Sequence, residues 1–135
     1  MDPQLVKTAR DSLSRCKRKP EFFDRFYKLF MDSSPDVREK FANTDFERQK
    51  NVLSDSLFLM LAAAGTTEGF AHLQLVKLAK RHSRDQLDIK PDWYSLWLDN
   101  LLRAVAEVDP EYSDEVDAAW RDSLKSGIDV LASGY

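Results

Sequence analysis

Along this chain, apolar residues recur at intervals of three and four, the spacing that puts one hydrophobic stripe on an α-helix, and no segment shows the strict alternation of a half-buried strand. Asp2 followed by Pro3 predicts a helix start, and Val6, Ala9, Leu13 and Cys16 then share a face up to the basic run before Pro20. Pro20 is expected to open a second helix with an aromatic stripe of Phe22, Phe23, Phe26, Tyr27 and Phe30, which the polar stretch from Asp32 to Asp36, with its serine pair and Pro35, ends. "PDVREKF" reads as a short turn. Thr44 with Glu47 three residues on is a capping-box pattern, and Phe46, Leu53, Leu57, Met60 and Ala64 continue one face of a long central helix up to Gly65.

"GTTEG" separates that helix from a fourth, "LVKLAKRHSR", whose end is marked loosely by "DQLDIKPD". Two more helices close the pattern. Tyr94, Trp97, Leu98, Leu101, Val105 and Val108 align in one; Val116, Trp120, Leu124, Gly127, Ile128 and Leu131 align in the other, with Ser113 as its cap. There are no repeats or low-complexity tracts. The fold class read from the pattern is all-α.

Composition narrows the function classes. A length of 135 residues suits one domain with one core, and a net charge of −3 argues against nucleic-acid binding. The single cysteine, Cys16, cannot form an internal disulfide, and "MDPQLVKTAR" lacks the profile of a signal peptide, so a cytoplasmic location is expected. The longest apolar stretch, "LFLMLAAAG", falls far short of the roughly 20 residues needed to span a bilayer, so no membrane is expected as a partner.

One position calls for chemistry. Leu75, Leu78, Ala79 and His82 share a stripe while Lys77, Lys80, Arg81 and Arg84 fall largely outside it, so the imidazole of His82 points toward the core. Two readings stay open on position alone: a buried histidine satisfied by backbone or hydroxyl groups, or a ligand to iron, zinc or copper. His72, in the loop or first turn before this helix, reads as surface. By themselves Tyr27 and Phe41 read as core aromatics, Gln49 as solvent-facing, and the basic run as a solvated face.

The segment from Phe26 to Phe41, which begins "FYKLFM" and closes "SPDVREKF", is followed by "DFERQKNVL", "LVKLAKRHSR", "WYSLWLDNLLRAVAEV" and "DAAWRDSLKSGIDVL". Taken together and in order, these five segments resemble a globin, in particular the single-domain bacterial haemoglobins related to the globin part of flavohaemoglobins. The resemblance covers nearly the whole chain and implies one globin domain over residues 1–135, with six to eight helices around haem b. It implies His82 as the proximal ligand to iron, its other ring N–H held by a neighbouring carbonyl or hydroxyl. It implies that Phe41 wedges against the haem and that Leu53, Leu57, Leu78, Ile89, Tyr94 and Trp97 line its pocket. Tyr27 and Gln49 would face the bound gas and donate hydrogen bonds worth about 1 to 3 kcal/mol in a dry pocket. Arg81 and Arg84 are candidates for pairing with the propionates.

The implied function is reversible oxygen binding, with nitric oxide and carbon monoxide as further ligands and nitric oxide dioxygenation as the candidate activity. The resemblance stops at the globin part, so an external electron donor or reductase is expected. In the flavohaemoglobin pattern a tyrosine and a glutamate polarise the proximal histidine. Tyr94 can stand in for the first, but Tyr135 falls where the glutamate belongs, which favours gas binding over peroxide chemistry. A different class of function is a haem-based gas sensor or interaction module that acts through a separate partner, with an exposed apolar patch on the two terminal helices. A third is a globin-like domain without haem. The assembly expected is a monomer or homodimer.

Overall fold

The computed structural model describes residues 2–135 and holds, among them, seven α-helices and no strand: α1 (Pro3–Lys17), α2 (Phe22–Ser33), α3 (Pro35–Lys40), α4 (Phe46–Ala62), α5 (Phe70–His82), α6 (Trp93–Val108) and α7 (Asp114–Ser133). Each boundary has a local cause. Asp2 accepts from the Gln4 N–H ahead of Pro3, and Ser113 accepts from the Val116 N–H, so the first and last helices both begin at the expected caps. Gly65 and Gly69 take φ of 75° and 94° in the α4–α5 connection, a left-handed path that side-chain-bearing residues rarely follow.

Three local expectations change. Helix α2 begins at Phe22 with Glu21 as its cap, because Pro20 and Glu21 complete the turn leaving α1. "PDVREKF" is not a bare turn: Ser34 accepts from the Val37 N–H, Pro35 sits in the first turn, and Pro35–Lys40 form α3. The cap of α4 is Asp45 rather than Thr44. Its carboxylate accepts from the Glu47 and Arg48 N–H groups, which satisfies two free amides where the Thr44 hydroxyl would satisfy one.

Helix α7 is the centre of the packing and touches α1, α4, α5 and α6, while α2 lies against α6 and α3. Trp120, Phe22, Phe26, Leu101, Leu124 and Val105 are fully buried where these helices meet. At the base of the bundle the Trp120 indole N–H donates to the Ser12 hydroxyl at 2.9 Å, and that hydroxyl donates to Asp109 at 2.6 Å. Arg15 grips the same carboxylate with two bonds of 2.7 and 2.9 Å. This ties the first, sixth and seventh helices together in the interior. The opposite end is less filled.

Among the described residues no helix is long and apolar enough to cross a membrane. Burial pushes the Cys16 thiol up to about 12, which keeps it protonated and inert among α1's core contacts.

Candidate functional site: a histidine-bearing apolar slot

Between α2, α4, α5 and α6 the packing leaves a slot enclosing about 120 Å³. Every helix except α1 contributes to its wall: Tyr27 and Phe30 from α2, Lys40 from α3, Gln49, Leu53 and Met60 from α4, Leu78 and His82 from α5, Tyr94 and Trp97 from α6, Leu131 from α7. Phe41 follows α3 and Ile89 lies between α5 and α6, and both also line it. A larger groove of about 710 Å³ runs between α5 and α7, but it is open to solvent and holds neither histidine nor cysteine. The slot is therefore the site with chemistry.

Its one strong donor to a metal is His82. Nδ1 lies 2.8 Å from the Leu78 carbonyl oxygen. A carbonyl can only accept, so Nδ1 carries the proton and Nε2 keeps the lone pair. Burial lowers the imidazole's pKa, against the opposing pull of the Leu78 carbonyl, so the ring is neutral at pH 7. A neutral imidazole with its tautomer fixed by a main-chain oxygen, on the wall of an apolar cavity, has the donor state that a metal requires.

The Tyr27 ring is held edge-on by Phe41 and Phe46, with centroids 5.5 and 5.4 Å away, and by Phe26 at 4.9 Å. Its hydroxyl donates to the main-chain carbonyl of Gln49 across a long 3.4 Å, and burial pushes the phenol up to about 12. A weakly engaged donor on an apolar wall is ready for a better acceptor. The Tyr94 hydroxyl is buried with no hydrogen-bond partner among the described residues, and burial pushes it, too, up to about 12.

Of the residues expected in the pocket, Tyr27, Phe41, Gln49, Leu53, Leu78, His82, Ile89, Tyr94 and Trp97 are all on this wall. Leu57 is not among the lining residues and is fully buried in the helix packing. Arg81 and Arg84 are also absent from the wall. The Arg84 guanidinium lies 4.9 Å from the ring centre of Tyr135 instead. The cation at the slot is Lys40, whose Nζ donates to the Leu87 carbonyl at 3.0 Å and lies 5.9 Å from the Trp93 ring centre. Nothing in the pattern singles out Lys40, which falls in a segment that reads as a turn. Met60 is findable, since it lies seven residues from Leu53 on the same face of α4. His72, which reads as surface, stands in the first turn of α5 and is half-buried, with Nδ1 out of solvent and without a partner among the described residues.

The family model described as Globin matches residues 24–131. The chain belongs to the globin family. Membership implies haem binding. This globin is 40% identical to a protein of Pseudomonas aeruginosa PAO1, whose crystal structure is described as structurally highly homologous to a human hemoglobin; the TM-score is 0.91, over 97% of this chain and 98% of that one. It is also 32% identical over 109 residues to a flavohemoprotein of Halalkalibacterium halodurans, matching 78% of this chain but only 26% of the relative. The globin thus spans about a quarter of that relative's length.

The slot fits the group the family implies. Its wall is apolar and aromatic, it carries one neutral imidazole with a free nitrogen, and the hydroxyls of Tyr27 and Tyr94 are under-used. A porphyrin is larger than the enclosed volume and would reach the mouth of the slot, where the exposed Lys40 could pair with its carboxylates.

Proposed function

We propose that this globin holds haem b with His82 as the protein ligand to iron and binds oxygen reversibly. The observation that carries the reading is the 2.8 Å contact between His82 Nδ1 and the Leu78 carbonyl, which commits one ring nitrogen and frees the other on the slot wall. Ferrous haem supplies the site at which oxygen, nitric oxide or carbon monoxide binds. The chain supplies the rest. Phe41, Leu53, Leu78, Ile89 and Trp97 exclude water, which strengthens every polar contact made inside. Tyr27 and Gln49 are the donors to a polarised diatomic ligand, and Lys40 is the cation for a propionate.

Nitric oxide dioxygenation is the finer activity within this reading, and it needs one electron per turnover from a reductase. The Leu78 carbonyl is a neutral partner for the proximal imidazole, so electron donation from His82 stays moderate, which suits reversible binding better than peroxide cleavage. A second reading, a gas sensor or interaction module, draws on the exposed Phe70, Leu73 and Val76 along one side of α5. These lie on α5 and not on the two terminal helices, where the pattern places such a patch.

Expression with added haem tests the main reading. The wild-type chain should carry an intense Soret band that moves on reduction and addition of carbon monoxide. His82→Ala should lose most of the pigment, and His82→Gly should regain it with free imidazole. Pigment content and carbon monoxide shift that are equal in wild type and His82→Ala would overturn the assignment.

A further inference from the structure

The turn that follows His82 is held shut from the far end of the sequence. Between α5 and α6 the chain folds back on the last turn of α5: the Leu87 N–H donates to the Arg81 carbonyl at 3.1 Å, the Asp88 N–H to Ser83 at 2.9 Å, and the Ile89 N–H to His82 at 3.0 Å. These bonds satisfy carbonyls that a helix end otherwise leaves free. The fold-back also brings Ile89 to the slot wall beside His82. It depends on Asp88, which at φ 52° is the one non-glycine among the described residues in the left-handed region. Aspartate tolerates that conformation better than most residues, but at a cost that surrounding contacts must meet.

Lys90 makes a loose 3.8 Å ion pair with Oδ2 of Asp88, and the closer hold comes from Tyr135. Its hydroxyl donates to Oδ1 of Asp88, its carbonyl accepts from the Arg84 N–H at 3.1 Å, and its ring lies against the Arg84 guanidinium. Helix α7 reaches this loop because Gly134 rides directly on Ala79 of α5, where an added Cβ would stand only 2.8 Å from the alanine methyl. A hydrogen bond spanning 47 residues of sequence thus locks the one strained residue of the loop that caps the histidine's own helical turn.

We infer that Tyr135 is a positioning residue for the proximal ligand: by holding Asp88 in its left-handed conformation it fixes the fold-back of the loop, and through it the orientation of the His82 ring. This rests on the haem reading above. Without the hydroxyl, the carbonyls of Arg81 and His82 lose their partners part of the time, the last turn of α5 frays, and the ring it carries samples more than one orientation toward iron.

Tyr135→Phe isolates the effect, because it keeps the ring, its stacking on Arg84 and the main-chain bond. In the haem-loaded chain it should broaden or shift the iron–histidine stretching band of the ferrous, unligated form. It should also speed haem transfer to an excess of a haem-free acceptor protein about three- to tenfold, the ratio for one lost hydrogen bond. In the haem-free chain, hydrogen exchange at the Asp88 and Ile89 amides should accelerate by a similar factor. Asp88→Ala should repeat these effects, and Asp88→Asn, which keeps an acceptor oxygen, should not. A pigmented wild type whose Tyr135→Phe variant keeps the stretching band, or whose loop amides exchange at the wild-type rate, overturns this inference alone. A wild-type chain with no Soret band overturns the haem reading and this inference with it.

Discussion

The two ends of this bundle are built to opposite standards. At the base, where α1, α6 and α7 meet, Trp120, Ser12, Arg15 and Asp109 form a closed network in which the buried carboxylate, hydroxyl and indole N–H all have partners. At the slot, the Tyr94 hydroxyl has none, the Tyr27 hydroxyl has a long one, and the His82 ring uses only one of its nitrogens. The base network commits its polar groups to holding helices together and the slot leaves two hydroxyls open to a ligand, a division between stability and binding. The division is not complete, since the fully buried Ser123 hydroxyl of α7, off the slot wall, also lacks a partner among the described residues. The groups left wanting at the slot are those that a ligand can satisfy.

The largest effect should come from breaking the base. Asp109→Ala takes both short bonds from Arg15, whose side chain is only 17% exposed and keeps just the 3.5 Å contact with Glu111, and leaves the Ser12 hydroxyl without its acceptor, so it should cost about 3 kcal/mol in chemical denaturation. None of the four residues lines the slot, so the folded variant should keep a wild-type visible spectrum. Burial pushes the Asp109 carboxyl up, but bonds from Arg15, Ser12 and the Glu111 N–H outweigh it, and the net pKa falls below the ordinary carboxylate value. A lowered folded-state pKa gives stability that is full above the unfolded value, about 3.9, and is lost as pH falls through the folded one. The advantage of wild type over Asp109→Asn should therefore be flat above about pH 4 and shrink below it; a gap that instead widens on acidification would show that the carboxylate is not the stabilised form.

Equal truncations at the two ends should differ. Leu124 is fully buried in α7, and Leu53 is nearly as buried but borders the slot. Leu124→Ala opens a cavity in close packing and should cost about 4 kcal/mol; for Leu53→Ala, at a position that already has open space on one side, the haem-free chain should lose nearer 2 kcal/mol. With haem the order should tighten, since Leu53→Ala then also loses contact with the ligand. Equal losses in the haem-free chains would mean that the slot is packed as densely as the base.

What the sequence reveals of this molecule follows the range of the interactions. Helix faces are written in local spacing, so the stripes through Leu13, Phe26, Leu57, Leu101 and Leu124 mark buried sides directly. His82 stands out for the same reason, as a polar residue on an apolar stripe. Short-range capping is harder: Thr44 and Asp45 are adjacent and both able to cap, and only the backbone path decides that Asp45 does. Six-residue α3 carries too few residues for a period, which also hides Lys40 at the slot's mouth. The long-range ties are invisible. Asp109 lies in "DPEYSD", a stretch that reads only as a helix breaker, and its partner Ser12 is 97 residues away. Tyr135 fills a position where the resemblance calls for a carboxylate, and the carboxylate it meets, Asp88, belongs to a different element.

The smallest effect should be the most specific to the slot. Tyr94 is 8% exposed, and its buried hydroxyl has been removed from water without a compensating bond. Such a group opposes folding by about 1 to 3 kcal/mol relative to a satisfied one, so Tyr94→Phe, which keeps the ring and its packing, should stabilise the haem-free chain by up to about 1 kcal/mol. At the base the corresponding change has the opposite sign, because Ser12→Ala leaves both the Trp120 indole N–H and Asp109 short of a partner. Denaturant titration of the two haem-free variants beside wild type measures both signs at once. A Tyr94→Phe chain that is less stable than wild type would mean that the hydroxyl has a partner in solution, and that the slot satisfies its own polar groups just as the base does.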